Sequence, residues 1–259
     1  MSIDRSATIK QIQKAFGIAD YSPRFVYRTL MTSANQLIDH GYRRAKFKNK
    51  YGKDFHFDRT DKYVEQTTYV NSEIYRMVSE QLDFVETCSL KIAKDQIAKV
   101  PKDKWDKEAF LAAVLFNFTF KQRVKEHTKK FKEEVEAYVR VGQEEGMNGD
   151  KVVQWFMDNI KDPMKDELVI AAITAGWINE MKGMSSYRSM SYLADDTITR
   201  GFHAANRHYW IYATSKQIIA QRDAHTCSAC SDLDGKIFPI EEEVLPVHGS
   251  CRCMEIPIV

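Results

Sequence analysis

The chain has 259 residues, of which 44% are hydrophobic and 29% are charged. Those proportions are typical of a globular protein with a sizeable core and exclude a disordered or fibrous one. The net charge of +2 indicates no general preference for acidic or basic partners, and no apolar run approaches the ~20 residues of a membrane span. The first residues are charged and amphipathic, unlike a secretory signal, so we expect synthesis in the cytoplasm.

The first part of the chain predicts long helices, because long stretches contain neither glycine nor proline. Ser22 and Pro23 form a favourable helix start, and this first helix runs to about Lys48. A second helix covers about residues 60–99 and ends before Pro101. Its apolar residues recur at spacings of three or four, which keeps them on one helical face. That face contains Ile74, Val78, Leu82, Val85, Cys88 and Ile92.

A third helix is predicted from Asp103, which is placed to cap it, to about Gly142. Its apolar face contains Phe110, Val114, Phe118, Val124, Phe131, Val135 and Tyr138. Shorter helices are predicted at Lys151–Ile160, Pro163–Met181 and Tyr187–Asn206. Apolar faces at this spacing usually form core, so residues 1–182 are expected to be a helical body. Its long helices either pair as an antiparallel hairpin or extend to a neighbouring subunit.

A basic stretch at the end of the first helix interleaves aromatic residues with cations. Between Tyr42 and Lys53 there are six basic residues and no acidic one. Such a pattern can bind phosphates and stack on bases. The candidate nucleic-acid contacts are Arg43, Arg44, Lys46 and Lys48. The preferred interpretation is a solvated helix end, whose cations lie favourably near the negative end of the helix dipole.

The composition changes after Asn206. The stretch RHYWIYATSKQIIAQ is rich in aromatic and β-branched residues and predicts a strand or a hairpin rather than a helix. A turn is predicted at residues 231–235, followed by a short strand at Lys236–Ile240 and an apolar strand at Met254–Val259. The expected fold class is therefore α+β and mainly α, with a small β-containing module at the C-terminus that is rich in cysteine and histidine.

Four of the five cysteines fall within the last 33 residues, which in a cytosolic protein points to metal or redox chemistry. Cys227 and Cys230 form a CxxC knuckle, in which two thiolates can reach one tetrahedral ion. A second cluster contains His248, Cys251 and Cys253, which makes one ligand more than a closed zinc site needs. The expected site uses Cys227, Cys230 and Cys251 with either His248 or Cys253. Two alternatives stay open. One is that the thiols are reduced and pack a small β-module in which His248 makes a structural hydrogen bond, and the other is that they form disulfides outside the cytosol.

The aspartates of this segment are the other candidate chemical group. Asp223, Asp232 and Asp234 could act as acids or bases, but aspartates beside a turn more often bond to the backbone, which is the interpretation we prefer. A nuclease of the HNH type would need a catalytic histidine and ligands beyond a structural knuckle. Here the cysteines and the histidine already belong to the candidate site, and a closed site has no open coordination position. We therefore expect no enzymatic activity and assign no catalytic residue.

The segment has a motif of defined order: an Asp, then Thr-Cys, a second Cys three positions later, a Leu-Asp-Gly turn, and a final Pro-x-His-x-x-Cys-Arg-Cys run. Its residues are Asp223, Thr226, Cys227, Cys230, Leu233, Asp234, Gly235, Pro246, His248, Cys251, Arg252 and Cys253. This motif resembles the C-terminal signature of the phage head-morphogenesis family, the Mu F-like minor head proteins. His225 and Gly249 stand where that family usually has Arg and Pro.

The resemblance implies a Mu F-like domain at residues 183–259, and it does not extend to the helical body that the apolar faces predict at residues 1–182. It also implies a virion protein of low copy number, located in the capsid interior or at the portal vertex. The expected partners are the portal protein, coat or scaffolding protein, and double-stranded DNA, since some relatives bind DNA. The expected cofactor is structural zinc. Two other functions stay open: a zinc-containing DNA-binding protein, and an HNH-like metal-dependent nuclease.

Overall fold

The computed structural model describes residues 21–49, 61–115, 117–174, 185–220, 226–247, 251 and 253–258, without the side chains of residues 21, 43–49, 172 and 173. The helices are α1 (Tyr21–Asn49), α2 (Asp61–Gln96), α3 (Lys107–Ala112), α4 (Phe120–Glu144), α5 (Gly149–Asn159), α6 (Glu167–Thr174), α7 (Ser186–Tyr209) and α8 (Ser228–Leu233). A 3₁₀ helix at Pro163–Lys165 precedes α6. The strands are β1 (Ser215–Ile219), β2 (Ile237–Pro239) and β3 (Met254–Ile258). The fold is mainly α with a small β-module, as predicted.

The first two predicted helices are confirmed by α1 and α2. The predicted apolar face of α2 is buried at five of its positions, namely Ile74, Val78, Leu82, Val85 and Ile92. Cys88 is the exception, because its spacing placed it in the core whereas it is only partly buried. In the described ranges, no helix combines the length and the apolar character that crossing a membrane requires.

The third predicted helix is broken in two. The helix α3 is short, and its cap is Asp106 rather than Asp103: the Asp106 carboxylate accepts a hydrogen bond from the Ala109 N–H at 2.8 Å. Between α3 and α4, Asn117 adopts a positive φ of 69°. Asparagine tolerates this left-handed conformation better than most residues, and the aromatic residues around it are weak helix formers. A tight turn therefore replaces two turns of the expected helix.

The break changes which apolar residues are core. Leu115 and Phe118 form an isolated antiparallel bridge across the turn. Val114 is 68% exposed and Phe118 is 45% exposed, so both leave the face on which helical spacing had placed them. The later members of that face stay buried along α4, and they are Val124, Phe131, Val135 and Tyr138.

The described chain forms two compact units, each discontinuous in sequence. The first unit contains the described parts of Met1–Ser22, Met77–Phe120 and Tyr192–Val259. The second unit contains the described parts of Pro23–Arg76 and Lys121–Ser191. The predicted domain division at residues 182 and 183 lies outside the described residues, so it stays a prediction.

Aromatic side chains of α4 and α5 contribute to the core of the second unit. The Tyr138 ring lies 4.4 Å from Trp155 and 4.9 Å from Phe156, measured between ring centroids. Phe131 packs against Phe156 at 6.3 Å. These separations are those of favourable aromatic pairs, so the rings stabilise the α4–α5 contact beyond the apolar area that they bury.

The same unit contains a buried carboxyl group. Glu134 of α4 is 2% exposed, and its Oε2 accepts a hydrogen bond of 3.0 Å from the backbone N–H of Ser186, the first residue of α7. Burial raises the pKa of Glu134 to about 7, although the hydrogen bonds from Ser186 oppose the rise. The loss of hydration therefore raises the pKa of Glu134 by more than the favourable position at the N-terminus of α7 lowers it.

In the first unit, α7 approaches α2 closely at Gly201. A Cβ at this position would overlap the Leu82 side chain and lie 3.4 Å from the Trp105 ring, so the missing side chain permits the contact. The Tyr209 hydroxyl donates to Glu86 at 2.6 Å and accepts from the Trp105 N–H at 3.2 Å. The end of α7 is thereby joined to α2 and to the segment before α3.

The three strands form an antiparallel sheet in the order β2-β1-β3. In the register of β1 with β3, Ser215 lies opposite Ile258 and Ile218 lies opposite Glu255. The strand or hairpin predicted after Asn206 is only partly correct, because α7 continues to Tyr209 and the strand begins at Ser215. Packing of the large side chains Tyr209 and Trp210, both fully buried, overrides their local preference for a strand.

We predict that Glu134→Gln reduces the dependence of stability on pH. The folded pKa of this carboxyl, about 7, exceeds its ordinary value of 4.5, so the folded state binds the proton more tightly. Its contribution to stability is full below pH ~4.5 and is lost as the pH rises towards 7. The variant should therefore be about 1–3 kcal/mol more stable than the wild type at pH 8.

Denaturant unfolding at pH 5 and pH 8 measures this difference. The matched control is Glu144→Gln, because Glu144 lies exposed on the same helix and its change should leave the pH dependence as in the wild type. Parallel pH profiles for wild type and Glu134→Gln would contradict the prediction.

Candidate metal centre

Cysteine and aliphatic side chains form a small core beside the C-terminal sheet. Its buried members include Ile218 of β1, Cys230 of α8, and Cys251 and Cys253, which precede β3. Partly buried residues packed against this core are Cys227, Leu233, Phe238 and Val244. The four cysteines of the C-terminal motif therefore belong to one cluster.

A short helix positions the first two cysteines. Cys227 is the N-cap of α8: its backbone is extended, and its Sγ accepts a hydrogen bond from the Cys230 N–H at 3.4 Å. Cys230 lies three residues later, which is close to one helical turn, so both side chains lie on the same side of the helix. Cys230 is buried, whereas Cys227 is partly exposed. The CxxC motif therefore forms the N-cap and first turn of α8.

Three sulfur atoms converge at this point. The Sγ atoms of Cys230, Cys251 and Cys253 all lie within 4.8 Å of one another, and the Cys230–Cys251 separation is 3.8 Å. Cys251 and Cys253 are two residues apart in the chain leading into β3, and such residues of an extended chain project to one face. Cys251 and Cys253 of the second predicted cluster therefore lie beside Cys230 of the first.

The separations suit a tetrahedral metal site. Thiolate–metal bonds of ~2.3 Å place two sulfur ligands about 3.8 Å apart in tetrahedral geometry, which is the Cys230–Cys251 distance. A disulfide bond would be much shorter, at ~2.05 Å, and all five cysteines are free thiols. Three cysteines therefore lie close enough to bind one metal ion. The candidates for a fourth ligand are Cys227, packed against the cluster, and His248, which lies outside the described residues.

Hydrogen bonds among the thiols favour one thiolate. The bond from the Cys253 thiol lowers the pKa of Cys251 to about 5, against the effect of burial. Burial raises the pKa of Cys230 to about 12, and the hydrogen bond to Cys251 raises the pKa of Cys253. Thiolates are the form that binds metals. Cys251 is therefore ready to act as a ligand, and an incoming cation would release the protons of the other two.

Asp234 and Gly235 fix the turn between α8 and β2. The Asp234 Oδ1 accepts a hydrogen bond from the Ala220 N–H at 2.9 Å, and the Gly235 N–H donates to the Ile218 carbonyl at 2.8 Å. Gly235 has a φ of 78°, which residues with a Cβ rarely adopt. Asp234 thus bonds to the backbone, as preferred from the sequence, and the Leu-Asp-Gly turn anchors α8 to β1.

The remaining candidate residues are placed only in part. Outside the described residues lie Asp223, His248 and Arg252. The same holds for the side chains of Arg43, Arg44, Lys46 and Lys48, although α1 includes their backbone. Thr226 is half-buried beside Cys227, and Asp232 is exposed on α8. The nucleic-acid contacts predicted on α1 therefore stay a prediction.

A buried ion-pair cluster in the same module was not predicted. The Oε1 of Glu255 in β3 is 2.9 Å from the Nζ of Lys216 in β1, and its Oε2 is 3.4 Å from the Nδ1 of His203 in α7. None of these three side chains is more than 1% exposed. The Lys216–Glu255 contact is an ion pair whose angle falls short of a hydrogen bond.

Charge pairing outweighs dehydration at Glu255. Burial alone would raise the pKa of this carboxyl, but the hydrogen bond and electrostatic interaction with His203, together with the Lys216 ammonium, lower it. The cluster adjoins the cysteine core, because Glu255 lies opposite Ile218 and Lys216 is two residues from Ile218 on the same face of β1.

The sequence does contain a signal for these residues. Lys216 alternates with Ile218 at inward positions of β1, and Glu255 interrupts the apolar run of β3. Opposite charges at positions with apolar neighbours indicate a buried pair. The partners cannot be matched, however, until the register of the two strands is known.

Comparison of the chain with protein-family models, with curated protein sequences and with solved structures finds no match in any of the three. The case for a function accordingly depends on the residues of the C-terminal module: the converging thiols, the turn bound to β1 and the buried ion pair.

Loss of one member of the buried ion pair should destabilise the protein more than loss of both. Lys216→Met leaves the Glu255 carboxylate buried without its ammonium, and Glu255→Leu leaves the ammonium alone. Each single change is expected to lower the free energy of unfolding by about 3–5 kcal/mol. The double variant replaces the pair with apolar side chains, so it should recover a large part of that loss.

Denaturant unfolding of the wild type, both single variants and the double variant gives the coupling energy. The matched control is the exposed pair Lys62 and Glu65, for which a coupling energy below about 1 kcal/mol is expected. Additive losses in the Lys216 and Glu255 variants would show that the two groups do not act as a unit.

Proposed function

We propose that the chain is a minor head protein of a tailed phage, associated with the portal vertex and acting in head morphogenesis and in DNA packaging or delivery. The observation that carries the proposal is the C-terminal motif, whose order and spacing from Asp223 to Cys253 resemble those of Mu F-like proteins. In support, residues that are distant in this motif contribute to one structural unit, since three of its cysteines converge and its Asp-Gly turn binds β1.

The role that we propose for the motif is structural. Cys230, Cys251 and Cys253 are buried in a small core, and Asp234 bonds to the backbone. A catalytic metal site keeps a coordination position open to substrate, whereas buried thiols that fill a coordination sphere hold segments of chain together. The proposal therefore includes no enzymatic activity, and it assigns the contacts with portal, coat or scaffolding protein to the helical body.

The proposed ion is zinc, with Cys230, Cys251 and Cys253 as ligands and Cys227 or His248 as the fourth. Thiolate-rich tetrahedral sites suit zinc better than harder cations such as magnesium or calcium. When bound, zinc would act as a cross-link between α8 and the segment before β3, and structural zinc sites contribute directly to folding energy.

The location of the chain in particles tests the proposed function. Procapsids and virions of the phage that encodes it should contain the chain in few copies, as quantified by mass spectrometry of gradient-purified particles. Procapsids assembled without portal protein are the control and should lack it, because the proposal places the chain at the portal vertex. Absence from both procapsids and virions would overturn the proposal, and undiminished levels without portal would exclude the portal as its binding site.

Metal analysis tests the proposed zinc site. Purified wild-type protein should contain about one zinc ion per chain, and Cys230→Ser or Cys251→Ser should lose most of it. Cys88→Ser is the matched control, because Cys88 lies on α2 and takes no part in the cluster. Chelation should lower the free energy of unfolding by several kcal/mol.

A second pair of variants identifies the fourth ligand. Zinc affinity should fall strongly either in Cys227→Ser or in His248→Ala, while the other variant retains it. Wild-type protein without zinc, with all five thiols titrating freely, would contradict the metal site and would favour a core of reduced thiols.

A further inference from the structure

A groove between α2 and α4 lies in the second unit, away in sequence from the cysteine motif. It has a volume of about 370 Å³ and is lined by Asn71, Ser72, Tyr75, Arg76, Lys121 and Lys125 among others. The Thr128 hydroxyl of α4 lies 2.8 Å from the Asn71 Oδ1 of α2, so the two walls are joined. The volume is that of a small-molecule site.

The cations of this groove are only partly neutralised. Arg76 is paired with Glu73 at 2.7 Å, and its guanidinium lies 5.5 Å from the centre of the Phe25 ring, which restrains its position. Lys121 and Lys125 are exposed, one turn apart on α4. Neither has an ion-pair partner in the part of the chain that the structure describes. The groove therefore combines a restrained guanidinium with two uncompensated ammonium groups.

The position of these lysines is unfavourable for the free helix. The N-terminus of a helix carries a partial positive charge of about half a unit, which repels cations. Helix α4 begins at Phe120 with no acidic residue in its first turn, and Lys121 and Lys125 follow within two turns. A bound anion would be attracted both by the lysines and by the helix dipole.

The first half of α4 carries an excess of positive charge. From Lys121 to Lys132 there are six Lys and Arg residues and one acidic residue, Glu126. Burial, together with the positive charges of Lys130 and Arg123, lowers the pKa of His127 to about 4. The groove lies at the beginning of this basic segment.

We propose that this groove binds a phosphate group, with Lys121, Lys125 and Arg76 as its cationic contacts. A phosphate concentrates its charge on one small group, as the three cations of the groove are concentrated around one cavity, whereas an acidic peptide distributes single charges along a chain. Ser72 and Asn71 add polar groups, and the Tyr75 ring offers a surface for a base or sugar attached to the phosphate. The phosphate comes from a free nucleotide or from a nucleic-acid backbone, which present the same chemistry.

Binding measurements with three probes test this proposal. ATP, a short DNA duplex of arbitrary sequence and a poly-glutamate peptide are titrated into the full-length protein at constant ionic strength. At least one phosphate probe should bind, and Lys121→Gln/Lys125→Gln should weaken that binding about tenfold or more, since two charge-assisted contacts are lost. The matched control is Lys129→Gln/Lys130→Gln, which changes the charge of the same helix equally outside the groove and should weaken binding less than about threefold.

The source of the phosphate follows from the probe that binds. Tight binding of ATP assigns the groove to a nucleotide, and binding of the duplex alone assigns it to a nucleic-acid backbone. The proposal is overturned if neither phosphate probe binds, if poly-glutamate binds as tightly as the phosphate probes, or if the groove and control variants weaken binding equally.

Footprinting of the unaltered protein gives an independent measurement. An amine-reactive reagent should modify Lys121 and Lys125 several-fold more slowly when the bound probe is present, while Lys129 and Lys130 react as before. Equal protection of all four lysines would overturn the groove as the binding site.

Discussion

The antiparallel pairing of β1 with β3 is the constraint on which the C-terminal module depends. Its register sets Glu255 opposite Ile218 and brings Lys216 to the same face, where the ion pair is buried. A shift by one residue would turn every β3 side chain to the other face. It would bury a carboxylate without its ammonium and carry Cys253 away from Cys230. The ion pair and the thiol cluster therefore specify the same register independently.

The small size of the module explains why it needs such contacts. Strands of three to five residues bury little apolar surface, so a sheet of this size depends on packing against other elements. His203 packs α7 against the sheet. The thiols of α8 and of the segment before β3 converge on one another. Both contacts link elements that the backbone pairing leaves unconnected. In the proposed function, zinc strengthens the second of these links. The chemistry of the motif then serves to hold the module together.

The cysteine cluster and the basic groove belong to different units and have different physical origins. The cluster is a buried site where three thiols converge, while the groove is an exposed site where uncompensated lysines follow a helix N-terminus. Each proposal can therefore fail without affecting the other.

The sequence by itself determined the mainly helical class, the extent of α1 and α2, the Asp234–Gly235 turn and the clustering of cysteines. These features depend on spacing within a few residues, which the chain order already contains. Local spacing wrongly predicted a continuous helix between Ala113 and Thr119, because the apolar residues there recur at helical spacing although Asn117 adopts a left-handed conformation. Only the tertiary structure decided that Cys230 meets Cys251 and Cys253, that Glu255 pairs with Lys216 and His203, and that α2 and α4 enclose a groove. Each of these contacts joins residues distant in the chain, and their partners are selected by strand register and helix packing, which no local pattern specifies.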